Sequence, residues 1–293
     1  MGYLALFISV VGNALKGYSS KAVSRHLSSP RQNMLINLIR GVLCALLSVL
    51  LILIGGQGLH ALGASTGTML LFAVAGICTA LFQYCWISAM DKSAYMLVSV
   101  CGTASFILPL IGGVTLLGEH LTVKKVLAIL VICAAAYFMT LYSQKVSKKL
   151  TVGAAITLVG ITLSQGSMQF LQKYYMSKVP NASGTVYTFY TFVFANIVFA
   201  LLLMLIKRDK TESKLPSRAY LFVLLMSAGM FVSTFFQTLA AKSVDAVVLY
   251  PLTNVGSLVA GTLMSTLIFG EKMKKESAIG IALVAVAILL YLL

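Results

Sequence analysis

The amino-acid sequence predicts an all-α integral membrane protein with ten transmembrane helices, arranged as two inverted repeats of five helices. Three observations lead to this prediction. Apolar residues are in large excess, they form a regular succession of runs long enough to cross a bilayer, and one segment recurs at a constant offset along the chain.

The composition excludes a water-soluble domain. Hydrophobic residues make up 59% of the 293 residues and charged residues only 10%, whereas a soluble domain carries about 25% charged residues. The formal net charge is +15, but nearly all Lys and Arg fall in short gaps between apolar runs, where they would meet lipid headgroups. No aromatic residues alternate with them for base stacking. We therefore expect membrane lipid as a partner and no nucleic acid.

Ten apolar runs are long enough to cross the hydrocarbon core as helices, which takes about 20 residues each. The predicted spans cover residues 2–24, 32–54, 67–89, 93–117, 122–142, 151–177, 184–206, 217–240, 244–269 and 275–293. The N-terminal stretch MGYLALFISVVGNALKG lacks the basic region and the small-residue cleavage site of a signal peptide. We expect it to be retained as the first span.

An internal repeat relates the two halves of the chain. LLGEHLTVKK, from residue 116 to 125, has a counterpart in IFGEKMKKES, from residue 268 to 277. A shift of 152 positions aligns the pairs Gly118 and Gly270, Glu119 and Glu271, Lys21 and Lys173, and Asn13 and Gln165. Each copy, residues 1–141 and 153–293, contains five helices. Because five is odd, the second copy enters the membrane from the opposite side, as in the inverted repeats of secondary transporters.

The Gly-Glu pair of each copy is expected to end a helix. Glycine takes the left-handed conformation that terminates helices, and the acid after it then lies at the positive end of the next helix. We favour this role over ion coupling, since a charge near a helix end costs less free energy than one in mid-membrane.

Two longer segments carry a family resemblance. They are ALFQYCWISAMDKSAYMLVSVCGTASFILPLIGGVTLLGEHLT, residues 80–122, and QTLAAKSVDAVVLYPLTNVGSLVAGTLMSTLIFGEKMK, residues 237–274. Both resemble the signature of EamA-type members of the drug/metabolite transporter superfamily, and Arg40 in NLIRGVL is similar to the family's second-helix arginine. The resemblance implies ten helices, a central cavity between the halves and alternating access. It also implies a small-molecule substrate, since family members move amino acids, amines, nucleotide sugars and other metabolites.

Two stripes of polar residues lie in the first and sixth spans, which are repeat partners. With spacings of three and four residues, the members of each stripe share one helix face. They are Asn13, Lys16 and Ser20 in the first span, and Gln165, Gln169 and Gln172 in the sixth. Polar residues inside a span face either a cavity or another helix with which they form hydrogen bonds. For two matched stripes we favour the cavity.

Further substrate-binding candidates come from the third, eighth and ninth spans. They are Gln83, Tyr84, Gln237, Tyr250 and Asn254. Lys16 and Arg40 are basic residues well inside spans, and each either faces the interior or extends its stem to the headgroups. A cavity-facing Lys16 without a carboxylate partner predicts a substrate with an anionic group.

The sequence shows no arrangement typical of an enzyme, a metal site or a cofactor site. It has no metal-ligand spacing of His and Glu, no carboxylate pair within a span, no GxSxG and no phosphate-binding loop. The acidic residues and histidines fall at span ends or in loops, which argues against proton exchange of the kind used by small multidrug exporters. The five cysteines lie inside apolar runs without CxxC spacing and are expected to be packed thiols.

The leading functional hypothesis is a multi-pass carrier of the cell membrane, a monomer or weak homodimer, that moves an amino acid or organic-acid-like metabolite by alternating access. The alternatives are an exporter or flippase of an amphipathic or lipid-linked substrate, and a non-transporting membrane scaffold. Orientation is open. Loops after odd-numbered spans hold 15 Lys and Arg against 5 for the others, which places both termini outside, whereas the family resemblance implies both inside. We lean slightly to the charge count.

Overall fold

The computed structural model describes residues 1–55, 62–92, 95–141, 152–206, 216–269 and 275–292. These residues form helices and connections and include no strand. The helices are α1 (Gly2–Ser24), α2 (Pro30–Ile54), α3 (Thr66–Lys92), α4 (Tyr95–Ala104), α5 (Ile107–Leu116), α6 (Val123–Leu141), α7 (Val152–Lys178), α8 (Gly184–Leu205), α9 (Ser217–Ala241), α10 (Ala246–Phe269) and α11 (Lys275–Leu292).

The fourth predicted span is broken into α4 and α5, so the eleven helices of the described residues form ten spans. Ser105 and Phe106 form a turn between the two segments, with Ser105 N–H donating to the Gly102 carbonyl and Phe106 N–H to the Thr103 carbonyl. Pro109 explains the position of the break. It has no N–H for the Ser105 carbonyl one turn earlier, and its ring clashes with that carbonyl in a straight helix.

Five helices among the described residues are long and apolar enough to cross a membrane by length and composition alone. They lie at Pro30–Ile54, Thr66–Ala89, Gly184–Leu205, Ala219–Ala241 and Ala246–Leu263. Helices α1 and α7 have 23 and 27 residues and are also long enough. They carry the two polar stripes, whose residues lower their hydropathy.

The helix contacts have the symmetry of two equivalent repeats. Helix α1 packs along α9, and the repeat-equivalent pair, α7 and α3, packs in the same way. Helix α2 packs against α8 and α6 against α11, and each of these pairs maps onto itself when the repeats are exchanged. These matched helix pairs are expected when a two-fold rotation relates the two halves. With five spans in each half, the predicted all-α fold of two inverted repeats is confirmed.

Glycines allow α1 and α9 to approach closely. A Cβ atom at Gly229 would lie 2.7 Å from the Lys16 backbone nitrogen and 2.8 Å from the Gly12 carbonyl oxygen. A Cβ atom at Gly12 would lie 2.7 Å from the Ser233 backbone nitrogen. Because backbone atoms rather than side-chain ends fill this space, the crossing requires small residues. The crossing also holds the Lys16 turn of α1 in place.

Substituting Gly229 with Ala is expected to lower the free energy of unfolding by about 1–3 kcal/mol, because the added methyl group has no room at the crossing. Gly67→Ala is the matched control, since Gly67 is a helical glycine with open space around its Cβ position. There we expect no loss, and a gain of up to about 1 kcal/mol from helix propensity. Denaturant unfolding of the purified variants measures both values. Equal stability of the two variants would contradict the crossing described above.

Candidate functional site

A cavity lies between the two repeats and encloses about 440 Å³ of empty space, counting the part that opens to solvent. Five helices contribute to its wall. The lining residues are Asn13, Lys16 and Gly17 of α1, Phe82 and Trp86 of α3, Gly102 and Thr103 of α4, Gln165 of α7, and Asn254, Ser257 and Leu258 of α10.

The cavity lies where the two repeats meet, and equivalent residues of both repeats line it. Asn13 and Gln165, which are repeat equivalents, both line it. Gly102 and Asn254 are also 152 positions apart, and they meet across the wall, with Asn254 Nδ2 3.5 Å from the Gly102 carbonyl oxygen. The charge is not symmetric, however, because the repeat equivalent of Lys16 is Met168. The positive charge of the cavity therefore comes from the first repeat.

Lys16 is buried and does not extend to the headgroups, with only 8% of its surface exposed. Its Nζ donates to Asn13 Oδ1 at 2.7 Å and lies 5.3 Å from the ring centroid of Phe82 and 5.8 Å from that of Trp86. The two aromatic faces give partial compensation by cation–π attraction. No carboxylate pairs with Lys16 among the described residues. The ammonium group is thus solvated by an amide and two rings, without a counter-ion.

Two further polar groups of the wall have no hydrogen-bond partner among the described residues. They are the indole Nε1 of Trp86, a donor, and the side-chain Oε1 of Gln165, an acceptor. The amide nitrogen of Gln165 lies 3.4 Å from Asn254 Oδ1, which fixes the orientation of the amide. The cavity therefore offers a cation, a neutral donor and a neutral acceptor to a polar solute.

Asn254 ties the second repeat to the broken fourth span. Its Nδ2 donates to Ser105 Oγ at 3.1 Å and to the Thr103 carbonyl at 3.3 Å, beside the break. Its Oδ1 accepts from Gln169 Nε2 at 2.9 Å. The amide of Asn254 thus serves wall construction as well as lining the cavity.

The other predicted substrate-binding residues lie outside the cavity lining. Gln169 bonds to Asn254, and Tyr250 is fully buried with its hydroxyl 3.4 Å from Gln172 Oε1. Gln83 and Gln237 are buried, and both polar atoms of Gln83 lack a partner among the described residues. Tyr84 packs at the edge of the apolar cluster formed by Met34, Ala80, Ala195 and Phe199.

Several lining residues were not predicted from the sequence. The aromatic wall of Phe82 and Trp86 gave a weak signal, because a lone aromatic residue in a span is more often a packing or interfacial residue. Trp86 is the only tryptophan of the chain and lies three residues after Gln83. Gly102, Thr103 and Ser257 are small residues of a kind that usually indicates close helix approach. The structure shows that the same small residues also leave room for the cavity.

A second buried charged cluster joins the repeats away from the cavity. The carboxylate of Glu119 lies 3.4 Å from Lys173 Nζ, with both side chains only 7% exposed. It also accepts from the backbone N–H groups of Ala246, at 2.8 Å, and Val247, at 3.2 Å. Lys173 Nζ donates to the carbonyls of Ala241, at 3.0 Å, and Val244, at 2.7 Å. The cluster connects the α5–α6 turn with the α9–α10 turn.

This cluster refines the sequence prediction for the Gly-Glu pair. Gly118 has a φ of +72°, so its predicted left-handed helix termination is confirmed. Glu119 does bind the N-terminal end of a helix, but that helix is α10 of the other repeat and not α6, the next helix along the chain. The repeat equivalents Gly270 and Glu271 lie outside the described residues. Lys173 is a further buried basic residue inside a span, in addition to Lys16 and Arg40.

The sequence model of the EamA-like transporter family matches residues 1–141 and, a second time, residues 152–293. The chain belongs to the EamA-like transporter family. No curated protein matches the chain. A solved structure titled only "Crystal structure of protein" is similar over 97% of this chain and 96% of its own, with a TM-score of 0.74 at 14% identity. At this identity the likeness shows the shared fold alone.

Membership in the EamA-like family establishes the general class of the protein. It is a multi-pass membrane transporter of the drug/metabolite type, as the repeated Gly-Glu segments predicted. The family match covers both halves, in agreement with the symmetric helix contacts. The cavity between the two halves is the natural candidate for the solute site of an EamA-like transporter.

Proposed function

We propose that this EamA-like transporter is a secondary carrier of the cell membrane for a small polar metabolite that carries an anionic group, such as an amino acid or organic acid. One observation supports this most directly: the cavity contains the buried ammonium of Lys16 with no carboxylate partner among the described residues. An uncompensated ammonium inside a membrane costs about 2.5–3.5 kcal/mol on insertion scales. A carboxylate or phosphate of the solute offsets this cost.

The remaining groups of the wall suit the rest of such a solute. The free Oε1 of Gln165 can accept from an ammonium or hydroxyl group, and the Trp86 indole can donate to a second oxygen. Asn13 already holds Lys16 and orients its charge toward the cavity. We assign the substrate contacts to Asn13, Lys16, Trp86, Gln165 and Asn254. Gln169 and Tyr250 connect the surrounding helices through hydrogen bonds, and Gln83, Tyr84 and Gln237 lie outside the lining.

The inverted repeat supports alternating access as the mechanism of the proposed carrier. The cavity lies between two halves that are equivalent in sequence but inverted in the membrane. If each half adopts the conformation of the other, the cavity closes on one side of the membrane and opens on the opposite side. In this conformation several polar connections cross between the repeats, among them those of Asn254 and Glu119. In the carrier cycle these connections form and break as the halves rearrange.

Counterflow into proteoliposomes tests the proposed function. Vesicles containing the purified protein are loaded with a high concentration of unlabelled solute, and uptake of a trace of the labelled solute is followed. The panel comprises amino acids, organic acids and amines. We expect saturable, transient accumulation of at least one anionic solute, and none in protein-free vesicles. Counterflow confined to cations would contradict the anionic assignment. Translocation of a labelled lipid without counterflow of any soluble solute would favour the flippase alternative.

A further inference from the structure

The cavity does not lie evenly between the two faces of the membrane. We call the face at which α1 begins the first face and the opposite one the second face. Because the spans alternate in direction, the α5–α6 and α9–α10 turns both lie at the first face. The lining residues lie in the middle of their spans or nearer the second face, as Asn13 in α1 and Trp86 toward the end of α3 illustrate.

An apolar cluster closes the path from the cavity to the first face. Val10 of α1, Phe106 at the break of the fourth span and Tyr250 of α10 belong to it, each with 8% or less of its surface exposed. Each lies three or four residues closer to the first face than a lining residue of the same span. The rings of Phe72 and Tyr175, one from each repeat, pack 5.1 Å apart in the same cluster. The open part of the cavity therefore faces the second face.

The buried Glu119 cluster lies at the outer end of this apolar seal. Glu119, in the α5–α6 turn of the first repeat, lies 3.4 Å from Lys173 Nζ and accepts from the N–H groups of Ala246 and Val247 at the start of α10. Gly113 allows α5 to approach α10, since a Cβ atom there would lie 2.8 Å from Glu119 Oε2 and 3.1 Å from the Cβ of Ala246. The cluster thus joins the ends of α5, α7 and α10 above the seal.

A connection of this kind can open reversibly. While the face is closed, the attraction between the two buried charges does little more than offset their lost hydration. When the two turns separate, water at the span ends hydrates the carboxylate and the ammonium again. We propose that Glu119 and Lys173 form the gate of the first face, which is closed in this structure while solute enters from the second face and which opens once in each transport cycle. This inference rests on the proposed carrier function and specifies how it is gated.

Thiol labelling of the purified protein in detergent tests the gate without a substrate. Val10→Cys reports on the seal, the fully buried native Cys44 reports on global unfolding, and the other native cysteines are replaced with Ala. Glu119→Gln leaves Lys173 buried and unpaired only in the closed state. It should therefore favour the open state and raise the labelling rate of Val10→Cys by about tenfold or more. Mass spectrometry of peptides assigns the label to each site, and labelling of Cys44 should stay slow.

Two further variants serve as controls for the labelling. Asp245→Asn removes an exposed ion pair between the repeats at the same face and should leave the labelling rate of Val10→Cys unchanged. Ser257→Cys lines the cavity and should be labelled with or without Glu119→Gln. An unchanged rate at Val10→Cys in the Glu119→Gln protein would overturn the inference. An equal rise at Cys44 would also overturn it, because the protein would then unfold rather than open.

A reversible cross-link tests whether the gate must open during transport. Glu119→Cys and Lys173→Cys are combined in a chain without the native cysteines and joined with a bismethanethiosulfonate reagent, which dithiothreitol removes. Counterflow of labelled alanine and succinate should fall by about tenfold or more on cross-linking and recover on reduction. The reagent should not affect either single variant. Undiminished counterflow of the cross-linked protein would overturn the gate and leave the proposed function intact. If the wild type exchanges no anion, the proposed function fails, and the labelling rates decide the gate.

Discussion

Replacing Lys16 with Gln is expected to abolish counterflow of the anionic solute. Lys16 supplies the cation that lines the cavity, and its Nζ is held 2.7 Å from Asn13 Oδ1 without a carboxylate partner among the described residues. Loss of a buried charge that pairs with a ligand costs about 2–5 kcal/mol, which corresponds to a fall of about 30-fold or more in kcat/KM. Initial rates of counterflow over a range of solute concentrations measure this fall.

Folding should survive the Lys16→Gln substitution. The side chain forms no ion pair within the described residues, so its removal leaves no partner unsatisfied apart from Asn13 Oδ1, which glutamine can still reach as a donor. Lys242→Gln is the control for charge alone, because Lys242 is an exposed residue at the end of α9. We expect wild-type counterflow in that variant. Normal transport by Lys16→Gln, or a loss of transport matched by a loss of folded protein, would contradict the assignment.

The fold was predictable because the sequence contains the same five-helix pattern twice. A single offset of 152 positions predicted two five-helix units, and the odd number of helices predicted their inversion. The helix contacts show the corresponding symmetry. The break between α4 and α5 was not predicted, although Pro109 carried the signal. A proline within an apolar run is compatible with either a kink or a break, and the choice depends on what the freed groups meet. Here Asn254 donates to the Thr103 carbonyl near the end of α4 and to the hydroxyl of Ser105 in the break itself.

The site was only partly predictable. Residues spaced three and four apart share a helix face, but the spacing does not show what that face meets along its length. The stripe on α7 illustrates this, because Gln165 lines the cavity, Gln169 bonds to Asn254, and Gln172 donates to Thr238 Oγ1 at 2.6 Å. Gln165 therefore fits the cavity interpretation of the stripe, whereas Gln169 and Gln172 fit the interpretation as hydrogen bonds between helices. A helix face can be predicted from the sequence, whereas the partner of each residue depends on the crossing of a distant helix.

The connection at Glu119 predicts the largest effect on stability. Glu119 pairs with Lys173 in a buried setting and binds two backbone N–H groups at the start of α10. Glu119→Gln leaves Lys173 buried without an anion and weakens the interaction with the helix dipole. Breaking one partner of a buried pair costs about 3–5 kcal/mol. We expect a fall of this size in the free energy of unfolding, measured by denaturant titration of the purified protein in detergent.

A nearby ion pair between the repeats provides a matched control. Lys125 Nζ lies 2.7 Å from Asp245 Oδ2, but the side chains are 21% and 49% exposed. Exposed pairs contribute about 0–1 kcal/mol, so Asp245→Asn should have little effect. The double variant Glu119→Gln, Lys173→Met removes both buried charges and should recover part of the lost stability, because no unpaired charge remains. If Glu119→Gln costs no more than Asp245→Asn, the buried cluster does not hold the two repeats together in this conformation.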